Sequence, residues 1–227
     1  MPNRRVIDLS LTLGGPLISA LKNVPGFEKE PVHTHAQHGR SNTRVSFNIH
    51  TATHVDCPYH FFEDGATVDR MALDAYMGPA VRADLRELLG PGAGATPEHF
   101  KRVLPSNLDL RGMIVIMHTG WVVQAWGQPN YYVDNPYLTE DGARWLVEQG
   151  VKAVAVDCSV ERAGGAVTPH HGDAQVHRIL LGSGVMLIEN LANLDQLPVQ
   201  GFELWALPVK LFEADGAPCR AVAVLAE

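Results

Sequence analysis

Cysteine is scarce in this chain: Cys57, Cys158 and Cys219 are the only three among 227 residues. The count is odd, the spacing is wide and no CxxC pair occurs, which excludes a disulfide framework and a thiolate zinc site. A reducing cytoplasm is the simplest compartment for such a chain. Basic residues are also in deficit, with 18 Lys and Arg against 25 Asp and Glu, giving a net charge of −7. That balance argues against nucleic acid as a partner, because phosphates demand a cationic surplus. It argues equally against docking on an anionic membrane. No apolar run has transmembrane length, and the opening MPNRRVIDLSLTLGG has two arginines without the apolar stretch of a signal peptide. GxGxxG, a Walker loop and GxSxG are all missing, which removes support for a nucleotide cofactor and for a serine nucleophile. Repeats and Pro- or Ser-rich linkers are absent too, so residues 1–227 read as a single domain.

What the chain does have is 11 histidines and regular alternation of element signals. Val6–Leu13 reads as a first strand, closed by Gly14-Gly15-Pro16, and residues 17–42 as an irregular loop, with or without a short helix, carrying His33, His35 and His38. Ala80–Leu85 and Met113–His118 read as strands. Thr96 is a cap for a helix over Pro97–Val103, and residues 127–137 form a second irregular loop. A helix runs from Thr139 through Gln149, with Glu140 and Asp141 at its start and Gly150 as its stop. Val151–Val156 and Val185–Glu189 are strands, His177–Leu181 is helical, and apolar segments follow near Trp205–Leu211 and Ala221–Leu225. The class is α/β, or α+β, with a mixed β-sheet.

The chemistry concentrates in His50-Thr-Ala-Thr-His54-Val-Asp56-Cys-Pro-Tyr-His60. From Val45 to Asp56 the odd positions are apolar or threonine, and the even ones include Ser46, Asn48, His50, His54 and Asp56. This is the period-two pattern of a strand, which turns the even positions to one pocket-facing side until Pro58 bends the chain. Cys57 falls on the core side as an inert thiol. Imidazoles and a carboxylate on one face suit zinc, manganese or ferrous iron. One strand cannot surround an ion, so further groups are expected from His170-His171-Gly-Asp173-Ala-Gln175-Val-His177 and from Glu189. Glu189 ends an apolar strand, where a carboxylate has no packing role.

HTATHVDCPYHF resembles the HxGTHxDxPxH signature of the cyclase-like metal-dependent hydrolases, a family that includes kynurenine formamidase, isatin hydrolase and trans-dienelactone hydrolase. IDLSLTL, LTEDGARWLVEQGVKAVAVDCSVE and QVHRILLGSGVMLIENLANLDQL resemble further family segments, in the family's order. The resemblance implies a swivelling β/β/α-type fold assembled as a homodimer or homotetramer. It implies metal ligation by His50, His54 and Asp56, completed by His177 and Glu189, with one or two divalent ions, zinc or manganese. His60 then corresponds to the acid/base group. The chain departs from the pattern in three places. Ala52 replaces the signature glycine, Cys158-Ser159-Val160-Glu161 replaces a proline-containing stretch ending in Asp, and the tryptophan of the formamidases is missing near Asn23–Phe27.

These features predict a hydrolase that opens a cyclic amide or lactone, or an aryl formamide, with metal-activated water and His60 as proton shuttle. A metal-dependent cyclase or dehydratase and a non-catalytic metal- or ligand-binding protein are the alternatives. The substrate is a small molecule. Phe27 and Phe47 are candidate substrate-binding residues. Trp121, Tyr131 and Tyr132 either line the pocket or pack in the core or at a subunit interface.

Overall fold

The computed structural model describes residues 4–14, 27–162 and 174–226. It is a single α/β domain built on a mixed sheet of eight strands. The first strand, β1 (Arg4–Asp8), lies on the outer edge. A hairpin follows, made of β2 (Glu28–His33) and β3 (Asn42–Ser46) with the short helix α1 (His35–His38) between them. Over its described part, the stretch expected to be an irregular loop with or without a short helix has that helix, and strand pairing in addition. Gly39, at φ +65°, ends α1 in the left-handed conformation that glycine adopts without steric cost.

The sheet resumes with β4 (His54–Asp56) and β5 (Met77–Asp84). A small parallel pair, β6 (Gly94–Ala95) and β8 (Tyr137–Leu138), flanks helix α2 (Pro97–Val103), strand β7 (Ile114–His118) and helix α3 (Trp121–Ala125). Helix α4 (Glu140–Glu148), strand β9 (Ala153–Val156), helix α5 (Gln175–Gly182) and strand β10 (Met186–Glu189) complete the α/β half. The chain ends in a long antiparallel pair, β11 (Phe202–Pro208) and β12 (Gly216–Ala226).

Two helix starts follow from their caps. Thr96 and His99 form a reciprocal capping box, with Pro97 at the first turn of α2. The Thr139 hydroxyl accepts the Gly142 N–H at 3.0 Å at the start of α4.

Strand order is β1-β12-β11-β5-β7-β9-β10-β4, and β4 also pairs with β12. That last pairing closes the strands from β12 round to β4 into a ring. Strands β5, β7, β9 and β10 are mutually parallel, as expected where helices cover one face. Alternation along each strand divides the core in two. Val55, Ala80, Ile114, Ile116, Ala153, Ala155, Ile188, Leu204, Ala217, Ala221 and Ala223 pack together on the ring's inner side, where the many alanines suit a narrow interior. Val81, Val115, Met117, Val154, Val156 and Leu187 pack outward against Phe100, Leu146 and Leu180 of the helices.

The continuous strand expected over Val45–Asp56 does not form. Residues Asn42–Ser46 are exposed and belong to the hairpin, and the chain turns over Asn48–Thr53 before β4 begins. The Asn48 side chain accepts the His50 N–H at 2.8 Å, and Ala52 adopts φ +58°. A side chain that captures a nearby backbone donor competes with ladder pairing, and a left-handed residue cannot lie in a strand. The apolar character of Val45 thus reflects hairpin pairing rather than core packing, since Val45 is 47% exposed.

Candidate active site

The turn at 48–53 does more than interrupt a strand. It folds His50 back over the residues that follow, so that His50 Nδ1 lies 2.8 Å from Asp56 Oδ1. His54 and Asp56 stand on β4, and Glu189 stands on the neighbouring β10 directly opposite His54. Val55 and Ile188 point into the ring, so His54, Asp56 and Glu189 point outward, toward the helices. Helix α5 brings His177 over them, with Nε2 at 3.5 Å from Asp56 Oδ2 and 3.9 Å from Glu189 Oε1. All four side chains are buried.

Each of three imidazoles has one nitrogen anchored and the other turned toward these carboxylates. His54 Nδ1 donates to the Ala52 carbonyl at 2.9 Å, leaving Nε2 at 3.4 Å from Asp56 and 3.7 Å from Glu189. His177 Nδ1 lies 2.8 Å from Glu161 Oε1. His50 Nε2 lies 2.8 Å from Asp215 Oδ2. This arrangement, a ligand-type nitrogen set by an acceptor on the far side of the ring, fixes tautomer and orientation in metal-binding histidines. Asp56 Oδ2 is buried and has no hydrogen-bond partner. An orphaned carboxylate oxygen facing imidazole lone pairs fits a divalent cation. Among the described residues, three groups are able to hold an ion: His50, His54 and Asp56; Asp56, His60 and His177; and His50, His60 and Asp215.

The titration behaviour of the metal-free chain reports the same geometry. Burial lowers the His50 pKa, but hydrogen bonds to Asp215 and Asp56 overcome it and raise it to about 10. Burial likewise opposes, and Asp56 and Glu161 outweigh it at, His177, also raised to about 10. Asp56 is pushed up by burial, yet the charge of His54, the nearby His177 ring and the hydrogen bond with His50 hold it well below the usual carboxylate range. Glu189 is raised, chiefly by burial.

His60 follows the turn Pro58–His60 and stacks on His50, with ring centroids 4.0 Å apart. Its Nδ1 lies 3.1 Å from Asp215 Oδ2. Burial lowers its pKa, partly offset by Asp215.

His50, His54, Asp56, His60, His177 and Glu189, singled out from sequence, thus gather in one place. Phe27 and Phe47 stack on each other at 6.2 Å. His33 and His38 meet edge to face near α1, while His170 and His171 lie outside the described residues. Trp121 and Tyr131 are core residues: Trp121 donates to the Tyr131 carbonyl, and the Tyr131 hydroxyl donates to Asn190 Oδ1.

Sequence reasoning missed Asp215, Glu161 and Phe61. Asp215 precedes a glycine at a strand start, which reads as an ordinary turn aspartate. Glu161 accepts the backbone N–H of His177 at 2.9 Å as well as its side chain, capping α5 where Ala174 has no side chain to do so. Phe61 walls the site, its ring 4.4 Å from His60 and 4.9 Å from His177.

Residues 7–161 match the Cyclase family. The chain belongs to this family. It is 30% identical over 226 residues to a kynurenine formamidase of Bacillus mycoides (strain KBAB4), covering 98% of each chain. It is 31% identical over 219 residues to a kynurenine formamidase of Bacillus cereus (strain ATCC 14579), covering 95% of each. Isatin hydrolase A from Labrenzia aggregata, solved bound to benzyl benzoate, superposes with a TM-score of 0.84 at 26% identity, over 99% of this chain and 94% of that one. An isatin hydrolase bound to the product analogue thioisatinate shares the fold, with a TM-score of 0.86 at 20% identity, over 99% and 93% of the two chains. Family membership and the His/Asp-rich pocket make this chain a hydrolytic enzyme whose site resembles those of metal-dependent amide and lactone hydrolases. Among the described residues, no helix is long and apolar enough to cross a membrane.

Proposed function

We propose that this protein is a metal-dependent hydrolase that opens a cyclic amide or lactone, or an aryl formamide. The observation that carries the reading is the set of three anchored imidazoles turned toward the buried Asp56 and Glu189. His50, His54, Asp56, His177 and Glu189 would hold one or two divalent ions, zinc or manganese, with Asp56 lying between the His50–His54 side and the His177 side. A divalent cation in such a site supplies Lewis acidity, activating water near neutral pH and polarising the substrate carbonyl.

His60 is the proton shuttle. Its Nδ1–H points to Asp215, which leaves Nε2 with a lone pair. Burial keeps the ring neutral near physiological pH, the form that accepts a proton from the attacking water. The same ring returns that proton to the leaving nitrogen or oxygen. One water is consumed, the carbonyl–heteroatom bond breaks, and a carboxylic acid is released. Phe61 shields this exchange from solvent, and the stacked Phe27 and Phe47 offer a flat apolar surface for an aryl group.

The acidic balance favours a small-molecule substrate over nucleic acid or an anionic membrane, and reduced cysteines fit the cytoplasm. A homodimer or homotetramer is supported by the β2–β3 hairpin, whose exposed Val32 and Val45 leave it weakly anchored for a two-stranded sheet. Residues 1–227 act as one catalytic domain.

The test combines elemental analysis with turnover of an ester, lactone, isatin-type and formamide panel before and after chelation. Hydrolysis lost on chelation and restored by zinc or manganese supports the reading, and the best substrate defines the subgroup. Product without added water mass would transfer the assignment to a cyclase or dehydratase. Protein that neither carries nor takes up metal refutes the reading, and metal without turnover points to a binding protein.

A further inference from the structure

Asp215 stands out because one of its side-chain oxygens meets both a histidine of the ligand group and the shuttle histidine. It lies at the bend before β12, with its side chain half-exposed and its backbone carbonyl accepting the Cys57 N–H. One oxygen, Oδ2, lies 2.8 Å from His50 Nε2 and 3.1 Å from His60 Nδ1. The two rings stack at 4.0 Å with an interplanar angle of 24°, so a single acceptor at their edge reaches both.

We propose that Asp215 is a shared positioning residue that sets the ring orientation and tautomer of a metal-ligand histidine, His50, and of the proton shuttle, His60, through one carboxylate oxygen. The inference rests on the hydrolase reading above. With a cation held between them, a proton kept on His50 Nε2 would turn the Nδ1 lone pair to the Asp56–His54 group. A proton on His60 Nδ1 leaves Nε2 for the substrate. Without the carboxylate, each ring is free to take the other tautomer or to rotate about χ2, and the two faults arise together. An acceptor behind a ligand histidine contributes to metal affinity, and an acceptor behind a general base contributes to turnover. Here both contributions come from the same atom. The side chain is partly solvated, and the backbone contact to Cys57 survives its replacement, so the fold tolerates substitution.

The experiment uses Asp215→Ala and Asp215→Asn in the full chain. Zinc affinity is measured by chelator competition, and kcat and KM are measured at saturating metal on the best substrate of the panel. Asp215→Ala is expected to weaken zinc binding by about 10–100-fold. At saturating metal, its kcat should fall by about 10²-fold or more, with KM and the thermal midpoint of the loaded protein close to wild type. Asp215→Asn keeps an acceptor oxygen and should recover part of both losses. Wild-type zinc affinity together with wild-type kcat in Asp215→Ala overturns the proposal. Loss of one without the other overturns the shared role. Lack of rescue in Asp215→Asn, with equal losses in thermal midpoint, reduces Asp215 to a structural residue. If the wild-type protein neither binds zinc nor turns over any substrate, the hydrolase reading itself fails, before any variant is compared.

Discussion

Replacing Tyr131 by Phe removes one oxygen atom and tests how far the site depends on a buried chain behind it. The Tyr131 hydroxyl donates to Asn190 Oδ1 at 2.7 Å, Asn190 Nδ2 donates to the Ala52 carbonyl at 2.9 Å, and His54 Nδ1 donates to the same carbonyl. Tyr131 is fully buried and Asn190 is 1% exposed. The phenyl ring stays packed against Trp126 and Tyr132, so the change opens no large cavity. What it does is leave the Asn190 carbonyl oxygen buried without that donor, which costs about 1–3 kcal/mol. In a domain of this size, each kcal/mol lowers the thermal midpoint by about 2–4 °C. Urea denaturation of the metal-free protein gives the free energy directly. Tyr132→Phe is the control, expected within about 0.5 kcal/mol of wild type, since the Tyr132 hydroxyl has no hydrogen-bond partner among the described residues. A looser Ala52 carbonyl should also weaken zinc binding through His54, by about tenfold. Tyr131→Phe with wild-type stability and wild-type zinc affinity would refute the idea that this chain of bonds holds the turn.

Three other outcomes are expected. His60→Ala should retain metal, read by elemental analysis, while kcat falls by about 10²–10⁴-fold. Glu161→Ala should lower zinc affinity by about 10–100-fold in chelator competition, because it frees the far nitrogen of His177 and uncaps α5. The third concerns acid stability. Burial and then the charge of Arg86 hold the His118 pKa down at about 4, against 6.5 for an ordinary imidazole, and Nδ1 accepts from Arg82 at 3.0 Å. As pH falls below 6.5 the unfolded chain takes up this proton first, so stability should fall between pH 6.5 and 4 and be complete above 6.5. The loss is about 3 kcal/mol. His118→Asn should flatten that acid limb in urea titrations across the range, and an unchanged limb would assign the loss elsewhere.

Helices α2 and α4 were legible because local chemistry determines them: Thr96, Pro97, Thr139 and Gly150 punctuate the chain with caps and stops that act over a few residues. The clustering of His50, His54 and Asp56 was also legible, though the geometry behind it was not. Alternation from Val45 to Asp56 imitates a strand, but the Asn48 side chain and the left-handed Ala52 turn the chain instead. The turn is what lets His50 reach Asp56, which a straight strand forbids. Periodicity registers which residues are apolar and is blind to a side chain that claims a backbone N–H. Asp215 and Glu161 were illegible for another reason. Each acts on a histidine distant in sequence, and a turn aspartate or helix-capping glutamate has the same local signature whether or not such a partner exists.

The three-residue strand β4 is held on one edge by β10 and on the other by the start of β12. Both neighbours come from the last quarter of the chain, so the pairings that close the ring span long stretches of polypeptide and carry a high loop-closure entropy. During synthesis, His50, His54 and Asp56 emerge early but remain an open, unpaired segment until Glu189, Asp215 and β12 have followed. On the proposed metal-site reading, an ion met in that interval would find no complete coordination sphere. Ring closure and site assembly should therefore coincide, and interrupted refolding should yield metal uptake only as the β4–β12 pairing becomes protected from hydrogen exchange.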